Sequence, residues 1–228
     1  MKVIAVIPSG GIGKRTSHSL PKQYIHVNGK EIIAYTLEKF QRCSVIDQIV
    51  VSAKKEFFSL IKGIKEKYGI TKLLDPVEGG NERQYSVFNA VKSLSAKDDD
   101  IILIHDAVRP LVSEEIIKSS VKYAKESGGA VVAIKAKDTL MKGKDSVNSY
   151  IDRSEIYYVQ TPQVFRYNIF VEAIKKAEQA NLLGTDESML VFEAGYKVKI
   201  VPGSSFNFKI TSDEDILLFE NLIKGLNQ

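Results

Sequence analysis

Apolar runs of strand length recur along the 228-residue chain, and amphipathic helical patterns separate them. The runs predict strands at residues 2–7, 48–52, 71–74, 101–104, 130–134 and 198–201. Helical periodicity predicts helices over 32–42, 56–68, 82–94, 114–126, 167–181, 186–194 and 213–225. Asn81 after Gly79-Gly80, Ser113 before Glu114-Glu115, and Thr211 with Glu214 read as helix starts, the last as a capping box. Strand and helix alternate, so the expected fold is α/β, a single Rossmann-like domain over residues 1–228 with a mostly parallel twisted sheet flanked by helices. Residues 135–158 break this rhythm, because β-like stretches at 138–142 and 146–151 surround the polar turn Lys142-Gly143-Lys144-Asp145 with no amphipathic helix. They predict a projecting β-arm over 136–158. A lone hairpin cannot bury its own apolar side chains, so the arm is expected to lie on a second subunit or over the site.

Composition narrows the class. The chain is 44% hydrophobic and 26% charged, which suits one domain with an ordinary core. Cys43 is the only cysteine, which excludes an internal disulfide and a thiolate metal cluster, and His18, His26 and His105 lack metal-ligand spacing. A reducing, cytoplasmic location fits. The first apolar run is too short for a membrane span or a signal-peptide core, so no membrane association is expected. The net charge is only +4, and no basic stripe interleaved with aromatics occurs outside the first loop, so nucleic acid is not an expected partner.

That first loop holds the most specific chemistry. In IPSGGIGKRTSHSLPKQ, Gly10, Gly11 and Gly13 allow close backbone approach to an anion, Lys14, Arg15, His18 and Lys22 add positive charge, and no acid precedes Glu31. It is not a Walker loop, since Pro8 stands at the first glycine position and Arg15 at the hydroxyl position. Nor is it a dinucleotide fingerprint, since the next strand runs into Lys54-Lys55 rather than an acid. The strand at 101–104 delivers His105-Asp106-Ala107-Val108-Arg109-Pro110 to the same end of the sheet. Asp106 facing a triphosphate points to a bridging divalent cation, Mg2+; its alternative role is an ion pair with Arg109 or a turn cap. Gly79-Gly80-Asn81 and Ser86 form a second glycine loop at a helix start, suited to a base edge or to an ordinary helix entry.

Taken together, SGGIGKR, PKQY, GGNERQYSV, HDAVRP, KDT, IDR, QTPQVF, TDES and NFKIT, in this order and spacing, resemble the 2-C-methyl-D-erythritol 4-phosphate cytidylyltransferases from end to end. Enzymes that load ribitol 5-phosphate or similar polyol phosphates share nearly the same set. The resemblance implies transfer of CMP from CTP to a polyol phosphate with release of pyrophosphate, by a homodimer joined through the arm. It assigns Arg15, Lys22 and Lys209 to the CTP phosphates and Gly80, Asn81 and Ser86 to cytosine. It assigns Asp106 to ribose and metal, with Arg109 in the same strand-end turn. Thr139 and Arg153 would hold the substrate phosphate from the neighbouring subunit. The chain departs from the family at Ser9-Gly10-Gly11, where Ala-Ala-Gly is usual, at Thr16 for Met, and at Phe208 for Ile. A non-catalytic nucleotide-binding regulator is the alternative of another class.

Overall fold

Alternation along the first apolar run places β1 (Val3–Pro8) between two cores, with Val3, Ala5 and Ile7 on one face and Ile4 and Val6 on the other. A strand buried on both faces reads as a continuous apolar run. The computed structural model describes residues 1–11 and 20–226. After β1 come β2 (His26–Val27), β3 (Lys30–Glu31), β4 (Gln48–Ala53), β5 (Val77–Glu78), β6 (Ile101–Ile104) and β7 (Gly129–Lys135). The remaining strands are β8 (Leu140–Gly143), β9 (Val147–Ile151), β10 (Tyr157–Arg166) and β11 (Lys199–Pro202). The helices are α1 (Ile32–Arg42), α2 (Phe58–Lys67), α3 (Arg83–Lys92), α4 (Glu114–Ser127), α5 (Tyr167–Gln179), α6 (Glu187–Glu193) and α7 (Asp213–Leu226).

The seven-stranded sheet has the order β11-β7-β10-β6-β1-β4-β5. Its pairings are parallel except around β10, which runs antiparallel to β6 and β7. Helices α1, α2 and α4 cover one face, and α3, α5 and α6 the other. Helix α7 packs Ile216, Phe219 and Ile223 on Ile25, Val27, Ile32, Val108 and Ile210, a third cluster beside the carboxyl ends of the strands. Among the described residues no helix is long and apolar enough to cross a membrane.

Ser113 caps α4 as expected, accepting from the Ile116 N–H at 3.2 Å, and Gly128 ends it in the left-handed region at φ 87°. Three local expectations are corrected. Residues 71–74 form no strand but a single bridge from Leu73 to Ile49, because Pro76 lacks the N–H of a continuous ladder and pairing resumes at Val77. Helix α3 starts with Glu82, not Asn81, in the cap position, and the Ser86 hydroxyl takes up the Gly80 N–H. The α7 box sits one residue later than expected: Asp215 accepts from the Thr211 and Ser212 N–H groups at 2.7 and 3.1 Å. Strand β10 has no counterpart in the apolar pattern, since Gln160, Thr161 and Gln163 interrupt it while being buried.

Strands β8 and β9 form a separate two-stranded antiparallel sheet, with Leu140 opposite Ile151 and Met141 opposite Tyr150. Met141 is 63% and Tyr150 71% exposed.

At the far end of the sheet from the loops after β1 and β6, Asp100 joins three elements. Its carboxylate accepts from the Lys2 and Lys97 N–H groups at 2.6 and 2.9 Å, and its carbonyl accepts from Tyr167 at 2.8 Å. Burial raises this carboxyl, but the N–H bonds and the amino-terminal charge outweigh it and hold it below its ordinary value. Its stabilisation is therefore complete near neutral pH and is lost as pH falls through the folded-state value. Asp100→Ala should cost about 1–3 kcal/mol in urea unfolding at neutral pH. The difference from the parent should shrink in acid.

Candidate active site

The loop after β1, the turn after β6, the loop after β5 and the segment before α7 meet at the carboxyl ends of the parallel strands, where open α/β sheets bind ligands. A cavity of about 290 Å³ there is lined by Gly10, Gly11, Lys22, Gly80, Asn81, Ser86, Asp106 and Lys209. Segments almost 200 residues apart thus bring Lys22 and Lys209 to one cavity. Gly13 and Arg15, with Lys14 and His18, lie outside the described residues.

Lys22 opens a 3-10 turn, Lys22–Tyr24, whose next two residues are buried and tie the glycine loop. Gln23 donates from Nε2 to the carbonyls of Ser9 and Gly11 at 2.8 and 2.9 Å. Ser9 Oγ donates to the Tyr24 hydroxyl at 3.0 Å, and Tyr24 stacks on Phe57 with centroids 4.4 Å apart. Across the cavity, Ser86 Oγ accepts from the Gly80 N–H at 3.0 Å and donates to the Glu82 carbonyl at 3.1 Å. Its hydroxyl shapes the loop. A Cβ on Gly80 would collide with Tyr85 Cβ, so the backbone passes where no side chain fits.

Asp106 is 6% exposed and meets three cations. Arg83 Nε lies 3.2 Å from Oδ1, while Arg109 Nε and Lys209 Nζ lie 3.1 and 3.2 Å from Oδ2. Burial opposes ionisation of Asp106, but the charges of Arg83, Lys209 and Arg109 outweigh it and hold the carboxyl far below the usual carboxylate range. The ion pair with Arg109 read from the sequence is therefore one arm of a larger cluster. Among the described residues no three His, Cys, Asp or Glu side chains gather as a metal site.

The turn carrying Asp106 and Arg109 is fixed from beneath by a buried imidazole. His105 Nε2 lies 3.1 Å from the Arg109 carbonyl, which can only accept, so Nε2 carries the proton. Nδ1 is then the acceptor, and Thr161 Oγ1 donates to it at 3.0 Å while accepting from the Asp106 N–H at 3.1 Å. Burial pushes the imidazole down to about 4, so it stays neutral near neutral pH. Arg109 is also fixed, donating from Nη1 to the Asn207 carbonyl at 2.7 Å, while Asn207 Nδ2 donates to the Thr161 carbonyl at 2.8 Å. Ile210, two residues after Phe208, is buried against Val108 and donates to its carbonyl at 2.9 Å, which aligns Lys209 with the Asp106 turn.

A second cavity of about 170 Å³ lies on the other side of the cluster, lined by Arg83, Asp106, Arg109, Gln160, Thr161, Thr185, Asp186 and Lys209 among others. Arg109 belongs to this one. Thr139 and Arg153 line neither cavity: both are exposed, and Arg153 donates to the Lys137 carbonyl within its own arm.

Residues 3–225 match the family model of 2-C-methyl-D-erythritol 4-phosphate cytidylyltransferase. The chain belongs to this family. The curated family member from Syntrophus aciditrophicus is 39% identical over 226 residues, covering 98% of this chain and 96% of the relative. The one from Clostridium acetobutylicum is 41% identical over 223 residues, covering 96% of both. Among solved structures, the Anaerococcus prevotii 4-diphosphocytidyl-2C-methyl-D-erythritol synthase superposes with a TM-score of 0.85 at 31% identity, over 98% of this chain and 96% of that one. The Francisella tularensis enzyme gives 0.83 at 30% identity, over 96% and 98%. These likenesses agree with the Rossmann-like fold and the family read from the motifs.

Five residues that shape the site carry no role in the sequence reading: Gln23, Arg83, His105, Thr161 and Glu187. Polar residues on buried stripes were the available signal. Glu187 shares the i, i+3, i+4 face of α6 with Leu190 and Val191, and Thr161 precedes the apolar pair Val164-Phe165 of β10. Gly80→Ala should lower kcat/KM for the nucleotide roughly tenfold to a hundredfold, as expected when a binding loop shifts by about 1 Å. Gly63→Ala, on α2 where the new Cβ meets nothing within 4 Å beyond its chain neighbours and its own helix backbone, is the neutral control in the same steady-state assay.

Proposed function

We propose that this chain transfers a cytidylyl group from CTP to 2-C-methyl-D-erythritol 4-phosphate and releases pyrophosphate. The observation that carries the reading is the convergence of Lys22, Lys209, Asp106 and two glycine loops on one cavity. A phosphate oxygen of the acceptor attacks the α-phosphorus, a new P–O bond forms, and the bond to the β-phosphate breaks. The acceptor monoester is already an anion near neutral pH, so no side chain need serve as nucleophile or strong base. The chain's task is positioning and charge. Lys22 and Lys209, with Arg15, neutralise charge gathering at the α-phosphorus. The loop at Gly80, Asn81 and Ser86 takes the cytosine, and the backbone of Gly10, Gly11 and Gly13 takes the phosphates. The acceptor occupies the second cavity, against Arg109 and Asp106.

A magnesium ion belongs to this reading. Two carboxylate oxygens offer about four acceptor directions, and three cations use three of those on Asp106. Asp106 would therefore have one acceptor direction left with which to hold Mg2+, an ion that favours oxygen ligands. When bound, the ion would supply further charge neutralisation at the phosphates. A homodimer belongs to it too: the arm exposes Met141, Val147, Tyr150 and Ile151, and Thr139 and Arg153 line neither of the two cavities described above. The single buried thiol of Cys43 suits a cytoplasmic enzyme.

Lys22→Ala and Lys209→Ala should each lower kcat on the order of a hundredfold to a thousandfold, measured as pyrophosphate release at saturating CTP. Near-normal turnover would remove that lysine from the role. Offering 2-C-methyl-D-erythritol 4-phosphate and ribitol 5-phosphate in parallel tests the acceptor, and CTP binding without turnover on either would overturn the reading. Arg153→Ala should raise KM for the acceptor far more than for CTP. Mixing the Arg153 and Lys22 variants should restore activity through hybrid dimers, and no recovery after verified subunit exchange would exclude action across the dimer.

A further inference from the structure

We propose that Glu187 is a positioning residue for the transfer reaction, acting through Arg83 on the wall that separates the nucleotide and acceptor cavities. This rests on the reading of the site given above. Glu187 is 1% exposed, and a carboxylate so buried needs a matched cation. Arg83 supplies it: Nη1 lies 2.6 and 2.7 Å from the two carboxylate oxygens, while Nε of the same guanidinium lies 3.2 Å from Asp106 Oδ1. One planar side chain thus spans two carboxylates 81 positions apart in the chain (187 − 106). Arg83 lines both cavities.

The surrounding bonds make this bridge a joint between elements. Gln84, next to Arg83 on α3, donates to the Leu182 carbonyl at 3.0 Å and accepts from the Gly184 N–H at 2.8 Å. Gln163 on β10 accepts from the Ser188 N–H at 2.8 Å. The start of α6 is thereby held from two sides, and it carries Thr185 and Asp186 on the acceptor-cavity wall. Without the Glu187 charge, Arg83 has one carboxylate left to satisfy and swings toward Asp106, while the α6 start loses its link to the cluster. The acceptor side is displaced and the glycine loops are not. Lysine cannot replace Arg83, because an ammonium is a point charge without the fork that reaches both partners.

The test compares wild type, Glu187→Gln, Arg83→Lys and the double variant in steady-state assays varying CTP and the polyol phosphate separately. Glu187→Gln should lower kcat/KM for the acceptor roughly tenfold to a hundredfold while KM for CTP stays within about threefold. Arg83→Lys should show the same split, and the double variant should lose no more than about threefold beyond Arg83→Lys, since both changes remove one contact. Wild-type kinetics in a folded Glu187→Gln, equal loss toward both substrates, or multiplied losses in the double variant would overturn the proposal. If Glu187→Gln gives no cooperative thermal melt, Arg83→Lys decides alone, its substrate split supporting the proposal and wild-type kinetics overturning it. An inactive wild type would overturn the functional reading and this inference with it, whereas an active wild type with an unaffected Glu187→Gln overturns this inference alone.

Discussion

A buried carboxylate beside a phosphate-binding cavity repels the ligand unless cations around it outnumber it. Two unit charges 4 Å apart interact by about 4 kcal/mol at an effective dielectric near 20. In the proposed reaction Asp106 is in this position, and its three cations come from helix α3, from its own strand-end turn and from the segment before α7. Each must be fixed independently. Arg83 is fixed by Glu187 and Arg109 by the Asn207 carbonyl. Lys209 differs: it is held by the backbone bond of its neighbour Ile210, and among the described residues its ion-pair partner is Asp106. In the proposed reaction Lys209 is therefore the cation able to turn from Asp106 to an incoming phosphate, leaving the two arginines to compensate the carboxylate.

The elements beneath this cluster explain why the site needs so many buried polar groups. His105, Thr161, Asn207 and Gln160 are all nearly or fully buried and hydrogen-bond around the Asp106–Arg109 turn. An apolar core could fill the same volume without fixing where a guanidinium points. A hydrogen-bonded polar network does fix it, because each unmade bond in the interior costs about 1–3 kcal/mol, although Asn207 Oδ1 itself is buried without a hydrogen-bond partner among the described residues. The antiparallel strand β10 supplies Gln160, Thr161 and Gln163 to this region from between β6 and β7.

That trade between core and site also decides what the sequence reveals. Helix α1 and strand β6 match the apolar pattern to the residue, since nearly all of their buried positions are apolar. Strand β10 hides because its buried positions include glutamine and threonine, whose partners lie far along the chain. Lys22, Asp106 and Lys209 on the main cavity stand out in motifs, whereas Arg83, which lines it too, meets Glu187 across 104 residues and no local pattern joins them. Helix starts at Ser113 and Ser212 show the same division: the first depends on local capping chemistry alone, while at α7 three adjacent acids, Asp213, Glu214 and Asp215, leave the choice of box to geometry.

The departure at the first glycine loop acquires a physical meaning from its neighbours. Where the resemblance read from the motifs expects alanines, the chain has Ser9 and Gly10. The Ser9 hydroxyl donates to Tyr24, adding a bond between the loop and the turn that carries Lys22. A Cβ at Gly10 would stand 3.3 Å from Ser86 Oγ, closer than ordinary contact, and that oxygen is already committed to the Gly80 N–H and the Glu82 carbonyl. The two changes act in opposite senses, one tightening the loop on the Lys22 side and the other relieving it on the Ser86 side. Gly10 thus lets the two glycine loops approach each other without disturbing the hydroxyl that holds the second in shape.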